Sequence, residues 1–160
     1  MNRIEKLGPD QWKIYKRVRL EALKDEPDAF GSTYDQESQY IEGDWRRRLE
    51  KNDRKTFVAK LDSLIPIGLI TCAPYGDKAG LFGMWVNPDY RGQGFGGQLV
   101  DVVIKYARDK KFSAILLDVA DNNNLAIALY ESKGFISTGI KGTLPPPRDS
   151  VVEHQRVLIL

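Results

Sequence analysis

Residues Arg91-Gly92-Gln93-Gly94-Phe95-Gly96-Gly97 place four glycines in six positions, directly ahead of an amphipathic stretch. Such a loop does one kind of chemistry well. Backbone N–H groups can close on an anion where no Cβ obstructs them, and a helix beginning there adds its unpaired N–H groups and the positive end of its dipole. A phosphate or pyrophosphate is the expected ligand, because a tight turn alone does not require four glycines. Gly92, Gly94 and Gly97 also satisfy the dinucleotide pattern G-x-G-x-x-G, with Asp118 roughly 20 residues further on. That reading is the weaker one. A dinucleotide-binding strand runs almost straight into its first glycine, whereas Asn87-Pro88-Asp89-Tyr90-Arg91 separates Val86 from Gly92. No Gly-Lys-Ser/Thr follows, so a Walker loop is excluded. The single Cys72 and the single His154 exclude an internal disulfide and a histidine-cluster metal centre, and no metal site is expected. Cys72 reads as a small core hydrophobe.

Positioning that loop falls to a series of elements. Ile4 to Leu7 reads as a strand ending at Gly8-Pro9. A helix follows, with Trp12, Tyr15, Val18, Arg19, Ala22 and Leu23 on one face, Asp10 as its N-cap and its end near Pro27. Tyr34 to Leu49 reads as a second helical region, interrupted or restarted at Gly43-Asp44. Strands are expected at Thr56 to Lys60, Ile65 to Cys72 and Leu81 to Val86. Their connections, Leu61 to Leu64 and Ala73 to Gly80, are too short for a helical crossover, so the three should pair antiparallel. Gly83 inside the third implies a bulge. Gly96 to Lys110 is an amphipathic helix and Ala114 to Val119 a buried strand. Asn123 to Lys133 is a helix closed by Gly134, and strands follow at Phe135 to Ile140 and Val151 to Leu160. The order β-α-α-β-β-β-α-β-α-β-β gives an α/β fold, with a mixed sheet of about seven strands, antiparallel in its first half and built by crossovers in its second.

Length and composition set the frame. The chain has 160 residues, 24 Lys/Arg against 22 Asp/Glu, and 42% hydrophobic residues. It should form one domain, residues 1–160, with a core that needs neither metal nor disulfide. The N-terminus is charged at once, and no 18 apolar residues run together, so a cytoplasmic home is expected and membrane spanning is not. A net charge of +2 gives no field strong enough to argue for nucleic acid, and no nucleic-acid partner is expected. A monomer and a homodimer both remain open.

Two runs carry a resemblance. Trp85 to Leu99, with Arg91, Gly94 and Gly96 filling Gln/Arg-x-x-Gly-x-Gly/Ala, is similar to the acetyl-coenzyme A binding motif of the GNAT superfamily of N-acetyltransferases. Asn123-Asn124-Leu125-Ala126-Ile127-Ala128-Leu129-Tyr130-Glu131-Ser132-Lys133-Gly134-Phe135 resembles that family's second signature, Asn-x-x-Ala-x-x-Leu-Tyr-x-x-x-Gly-Phe. Residues 1–80 match by layout more than by motif. The resemblance implies an enzyme that moves an acetyl group from acetyl-coenzyme A to a primary amine, of a small molecule or a peptide, by direct attack in a ternary complex. A non-catalytic acyl-coenzyme A sensor on the same fold is the alternative, and a dinucleotide-binding protein the weaker one.

The resemblance also implies roles. Gly92, Gln93, Gly94, Phe95, Gly96 and Gly97 would hold the pyrophosphate on their N–H groups. Arg91 would add charge there or only cap the turn. The backbone of Trp85 and Val86 would pair with the pantetheine arm, in a cleft between splayed parallel strands, with an N–H near Val86 as oxyanion donor. Asn123 would bond the pantetheine amide, although an N-cap role explains it equally well. Tyr130 would be the general acid toward the leaving thiolate; by periodicity alone it is a core aromatic. For the base, Leu81 to Val86 offers no carboxylate, which leaves Asp118, Glu37 and His154 as candidates. Finally, residues 21–44 hold eight acids against Lys24, a balance of −7, and residues 45–60 reverse it to +5. If that acidic run lined the acceptor side, it would favour a cationic acceptor such as a polyamine; solvated acids offset by Arg46, Arg47 and Arg48 are the competing expectation.

Overall fold

The computed structural model describes residues 2–62 and 65–160. The chain runs β1 (Asn2–Lys6), α1 (Trp12–Asp25), α2 (Tyr34–Glu37), α3 (Glu42–Glu50), β2 (Lys55–Leu61), β3 (Ile65–Tyr75) and β4 (Lys78–Val86). It continues through α4 (Phe95–Asp109), β5 (Ala114–Ala120), α5 (Asn124–Ser132), β6 (Ile136–Thr143) and β7 (Val152–Ile159). The strands form one sheet of order β1-β2-β3-β4-β5-β7-β6, in which β4 and β5 pair parallel and all other neighbours antiparallel. This is the mixed sheet expected from the element order. β4, α4 and β5 form one parallel crossover, but β3 pairs antiparallel with β4, where a doubly wound dinucleotide-binding fold continues its parallel sheet.

Both faces of the central strands are covered, which is why β2 is buried at five consecutive positions instead of alternating. Phe57, Ala59, Ile67, Leu99, Val103, Leu117 and Val119 pack on the α4 and α5 side. Val58, Leu69 and Trp85 turn to the other face and meet Val18, Leu23, Trp45 and Leu49 from α1 and α3. Tyr15 and Tyr40 both pack edge-on against Trp45, at centroid distances of 5.4 and 5.5 Å.

Three local expectations change. Asp10 does not cap α1: a 3-10 turn at Pro9–Gln11 precedes the helix, the Gly8 N–H is taken by Gln11 Oε1 at 2.9 Å, and Asp10 instead accepts from Arg46 at 3.4 Å. The break in the second helical region falls at 38–41, ahead of the expected Gly43-Asp44. Asp44 accepts from the Ile41 N–H at 3.0 Å and so belongs to the first turn of α3, where a carboxylate satisfies a free N–H. The connection expected from Ala73 to Gly80 shrinks to Gly76-Asp77, because cross-strand pairing carries Ala73, Pro74 and Tyr75 into β3 despite weak local propensity for the first two. The connection expected from Leu61 to Leu64 includes residues 63 and 64, which lie outside the described residues.

Candidate active site

The glycine loop ends at the N-terminus of α4. Gly94 stands at the cap position with φ +91° and Gly92 has φ +77°, conformations that a Cβ disfavours. The first i to i−4 bond of α4 is Gln98 N–H to the Gly94 carbonyl at 3.1 Å, so the preceding N–H groups have no intrahelical acceptor. Gly96 answers to a different constraint: a Cβ there would lie 3.0 Å from Leu129 Cδ2, so this glycine lets α4 and α5 approach. The Phe95 side chain is buried in the core, which leaves its backbone for the loop.

The loop opens on a break in the sheet. β4 and β5 pair only at Ala79↔Ile115 and Gly80↔Leu116, and beyond that point they part. The register between β3 and β4 shifts between Leu69 and Thr71, where Gly83 takes φ +62°; this is the expected bulge. A cavity of about 620 Å³ passes through the gap. Tyr130, Gly94, Gly96, Asn123 and Met84 line it on the α4–α5 side, and Arg19, Phe30 and Trp85 on the α1 side. Tyr130 is buried with its ring edge-on to Phe135 at 5.8 Å. Burial, and then the charge of Glu26, hold its phenol well above the ordinary value of 10.0. Among the described residues its hydroxyl has no hydrogen-bond partner, so it is free to face a ligand. Asn123 Oδ1 accepts from the Ala126 N–H at 3.3 Å as the cap of α5, which leaves its amide nitrogen to donate.

Strand alternation sorts the base candidates. Leu117 and Val119 enter the α4-side core, so Asp118 faces the opposite side and reaches the cavity. Tyr75 Oη donates to the Asp118 carboxylate at 3.0 Å and itself accepts from Gln155 Nε2 at 3.0 Å. Glu153 of β7 lines the same cavity; burial, then the negative charge of Asp118, raise its carboxyl above 4.5, while Arg148 pulls the other way. His154 is the next residue and alternates away from the cavity. Glu37 is also excluded. It is fully buried, Arg19 Nε and Nη2 each donate to it at 3.0 Å, and Arg48 Nη1 donates at 2.8 Å. Burial raises its carboxyl, but Arg19 and then Arg48 outweigh that and hold it below 4.5. A carboxylate so satisfied has little affinity for a proton. Cys72 is buried and its thiol pushed up to about 11 by desolvation, consistent with a packing role.

Arg91 folds back over the loop. Its Nε donates to the Val86 carbonyl at 2.9 Å and its Nη2 to Asp25 at 2.9 Å, with Glu26 at 3.2 Å. Asp25 also accepts from Trp85 Nε1 at 2.9 Å, which fastens the end of α1 to the end of β4. Across the cavity mouth, Arg148 in the β6–β7 connection donates to the carbonyls of Pro27, Phe30 and Gly31 at 2.7 to 2.9 Å. These pairings revise the acidic run. Glu21 pairs with Arg17, Asp25 and Glu26 with Arg91, Glu37 with Arg19 and Arg48, Glu42 with Arg46, and Asp44 with Arg47. Segment 21–44 therefore presents no −7 face: Arg17, Arg46 and Arg47 pair with acids one helical turn away, and Arg19, Arg48 and Arg91 reach Glu37, Asp25 and Glu26 from other elements. Sequence reasoning missed Glu153, Arg48 and Arg54, which line the cavity, and Arg148, which ties down the 27–31 segment beside it. Arg19 did leave a signal: it is a cation on the apolar face of α1.

Residues 19–135 match the acetyltransferase (GNAT) family. The [ribosomal protein bS18]-alanine N-acetyltransferase of Escherichia coli (strain K12) is 38% identical over 73 residues, covering 46% of this chain and 49% of that protein. Human N-acetyltransferase 8 is 34% identical over 79 residues, covering 46% of this chain and 35% of that protein. In fold, YncA from Salmonella typhimurium, solved with its cofactor acetyl-CoA, superposes with a TM-score of 0.81 at 14% identity, over 100% of this chain and 94% of that one. The fold and the cleft thus define an acetyltransferase-type α/β protein. The chain belongs to the GNAT family, the family its two motifs resemble. The matched segments span about half or less of the length of the two relatives compared by sequence. Among the described residues, no helix is long and apolar enough to cross a membrane, and no three His, Cys, Asp or Glu side chains gather as a metal site.

Proposed function

We propose that this chain, acting as one domain, is an N-acetyltransferase that moves the acetyl group of acetyl-coenzyme A to a primary amine by direct attack in a ternary complex. The observation that carries the reading is the gap between β4 and β5, which ends at the free N–H groups of α4 and has Tyr130 in its wall. The residues present fit the cofactor. Gln93 to Gly97 offer a cradle of N–H groups in which a Cβ at Gly92 or Gly94 would meet only open space or the tip of Gln98. Trp85 and Val86 pair with β3 on one edge and have no ladder partner on the other, so that edge can take the pantetheine arm as an added strand. Asn123 can donate to the same arm.

Acetyl-coenzyme A supplies an activated acyl group as a thioester. The chain must then orient the carbonyl, stabilise negative charge on its oxygen, take a proton from the amine and give one to sulfur. A main-chain N–H near Val86, beside the bulge, donates to the oxyanion in this reading. Tyr130 is the proton donor: a phenol held above 10.0 stays protonated throughout the neutral range. It need not be a strong acid, because a thiolate in a dry cleft also has raised proton affinity, as burial does to Cys72. Asp118 and Glu153 form the proton-accepting side. Asp118 is held by Tyr75, and Glu153 is the member of the pair whose proton affinity is raised toward that of a useful base.

The test is cofactor binding followed by turnover. Acetyl-coenzyme A at about 100 times Kd should stabilise the fold by about 2.7 kcal/mol, a Tm rise of about 5 to 10 °C for a chain of this size. Gly94→Val, which forces a β-branched residue to positive φ, should lose that rise while the protein still unfolds cooperatively. Thiol release should follow addition of a suitable amine. An undiminished rise in Gly94→Val refutes the assignment of the loop.

A further inference from the structure

The cavity is also lined by three guanidinium groups: Arg19 from α1, Arg48 from α3 and Arg54 at the entry to β2. Glu37 lies behind the first two and cancels one charge. Arg54 forms no ion pair among the described residues, and its Nε is buried without a hydrogen-bond partner. These four side chains therefore leave a net +2 beside the site. Proteins seldom leave a buried donor of a charged group unmatched, since it forfeits hydration without replacement.

Two further donors face the cavity. Arg19 spends Nε and Nη2 on Glu37, so its Nη1 is spare; that atom lies 3.1 Å from where a Cβ on Gly83 would stand, directly at the bulge of β4. Tyr15 Oη receives a long contact from Arg48 at 3.4 Å, which leaves its own proton to give, and Tyr15 lines the cavity too. Across the gap, on β5 and β7, stand the carboxylates Asp118 and Glu153. The cavity is thus bipolar, cationic on the β2–β4 side and anionic on the β5–β7 side.

We propose that the acceptor is a zwitterion, a free amino acid or similarly small amino-carboxylate, with its carboxylate on Arg54, Arg19 Nη1 and Tyr15 and its amine toward Glu153 and Asp118. The proposal rests on the acetyl-transfer reading above and narrows it. A guanidinium fork matches a carboxylate in two parallel hydrogen bonds, and a phenol adds a third. A polyamine has no group for this subsite and would bring further positive charge to it.

The experiment compares free L-amino acids, the corresponding amino-acid amides and spermidine as acceptors, by thiol release from acetyl-coenzyme A. The best amino acid should exceed its own amide at least tenfold in kcat/KM. Arg54→Gln should lower kcat/KM for that amino acid about 10- to 100-fold, mostly through KM, so that the preference over the amide collapses toward one. Arg54→Lys, which keeps the charge without the fork, should fall between. A binding readout accompanies these. With coenzyme A present, the N-acetylated amino acid should raise Tm in the wild type and not in Arg54→Gln, while the coenzyme A shift itself persists in both. If amides or spermidine react as well as or better than every amino acid, the zwitterion is refuted and acetyl transfer stands. If no amine is acetylated and acetyl-coenzyme A produces no Tm shift, the underlying reading falls and this one with it.

Discussion

Replacing Tyr130 by Phe removes one oxygen atom from a buried ring, and the structure says what that should cost. The ring keeps its edge-on contact with Phe135 at 5.8 Å and its place in the α4-side core. The hydroxyl has no hydrogen-bond partner among the described residues, so no protein donor or acceptor is orphaned, and Tm should move by no more than about 2 °C. Nor does the hydroxyl belong to the N–H cradle, so the acetyl-coenzyme A shift should be retained. The loss should appear in turnover. A positioned proton donor contributes about 10²- to 10⁴-fold. We expect the lower end, near 10²-fold or about 2.7 kcal/mol, because a thiol of ordinary pKa about 8.5 leaves tolerably well without help. The assay is the initial rate of thiol release at saturating acetyl-coenzyme A, from about pH 6 to about pH 9, where the wild-type phenol stays protonated because burial, and then Glu26, raise its pKa. A variant within about threefold of wild type, or one whose defect lies in cofactor affinity, would return Tyr130 to the role of a packing residue.

Glu37→Gln should be costly to stability, since it leaves Arg19 and Arg48 without their shared carboxylate: about 3 to 5 kcal/mol, or a Tm drop of about 6 to 20 °C at neutral pH. Because the folded carboxyl lies below its ordinary 4.5, the stabilisation is present above that value and disappears as pH falls through the lower folded one; the gap between variant and wild type should therefore narrow in acid, and a gap independent of pH refutes the argument. Glu153→Gln should cut kcat/KM at neutral pH by about 10²-fold and make the rate follow the deprotonated fraction of the amine, rising steeply toward pH 9; an unchanged profile excludes Glu153 as the base.

Local chemistry in the sequence determined much of the frame. Hydrophobic period distinguished strands from helices, short connections dictated antiparallel pairing of β2 to β4, and Gly83 announced the bulge. The glycine loop marked an anion cradle because backbone exposure and positive φ depend on the glycines themselves. What required the tertiary structure was every property set by a partner far along the chain. The −7 run looked like a wall because Arg19, Arg48 and Arg91 meet it only once α1, α3 and the loop after β4 pack together, whereas Arg17, Arg46 and Arg47 pair with acids within one helical turn. His154 and Glu153 are adjacent in sequence, and only the register of β7 against β5 decides which side chain enters the cavity. Gly96 looked like part of the anion cradle, yet its need for no Cβ comes from Leu129 on a helix 33 residues away. Charge and side-chain direction are pairwise quantities; a sequence states one member of each pair, and the fold supplies the other.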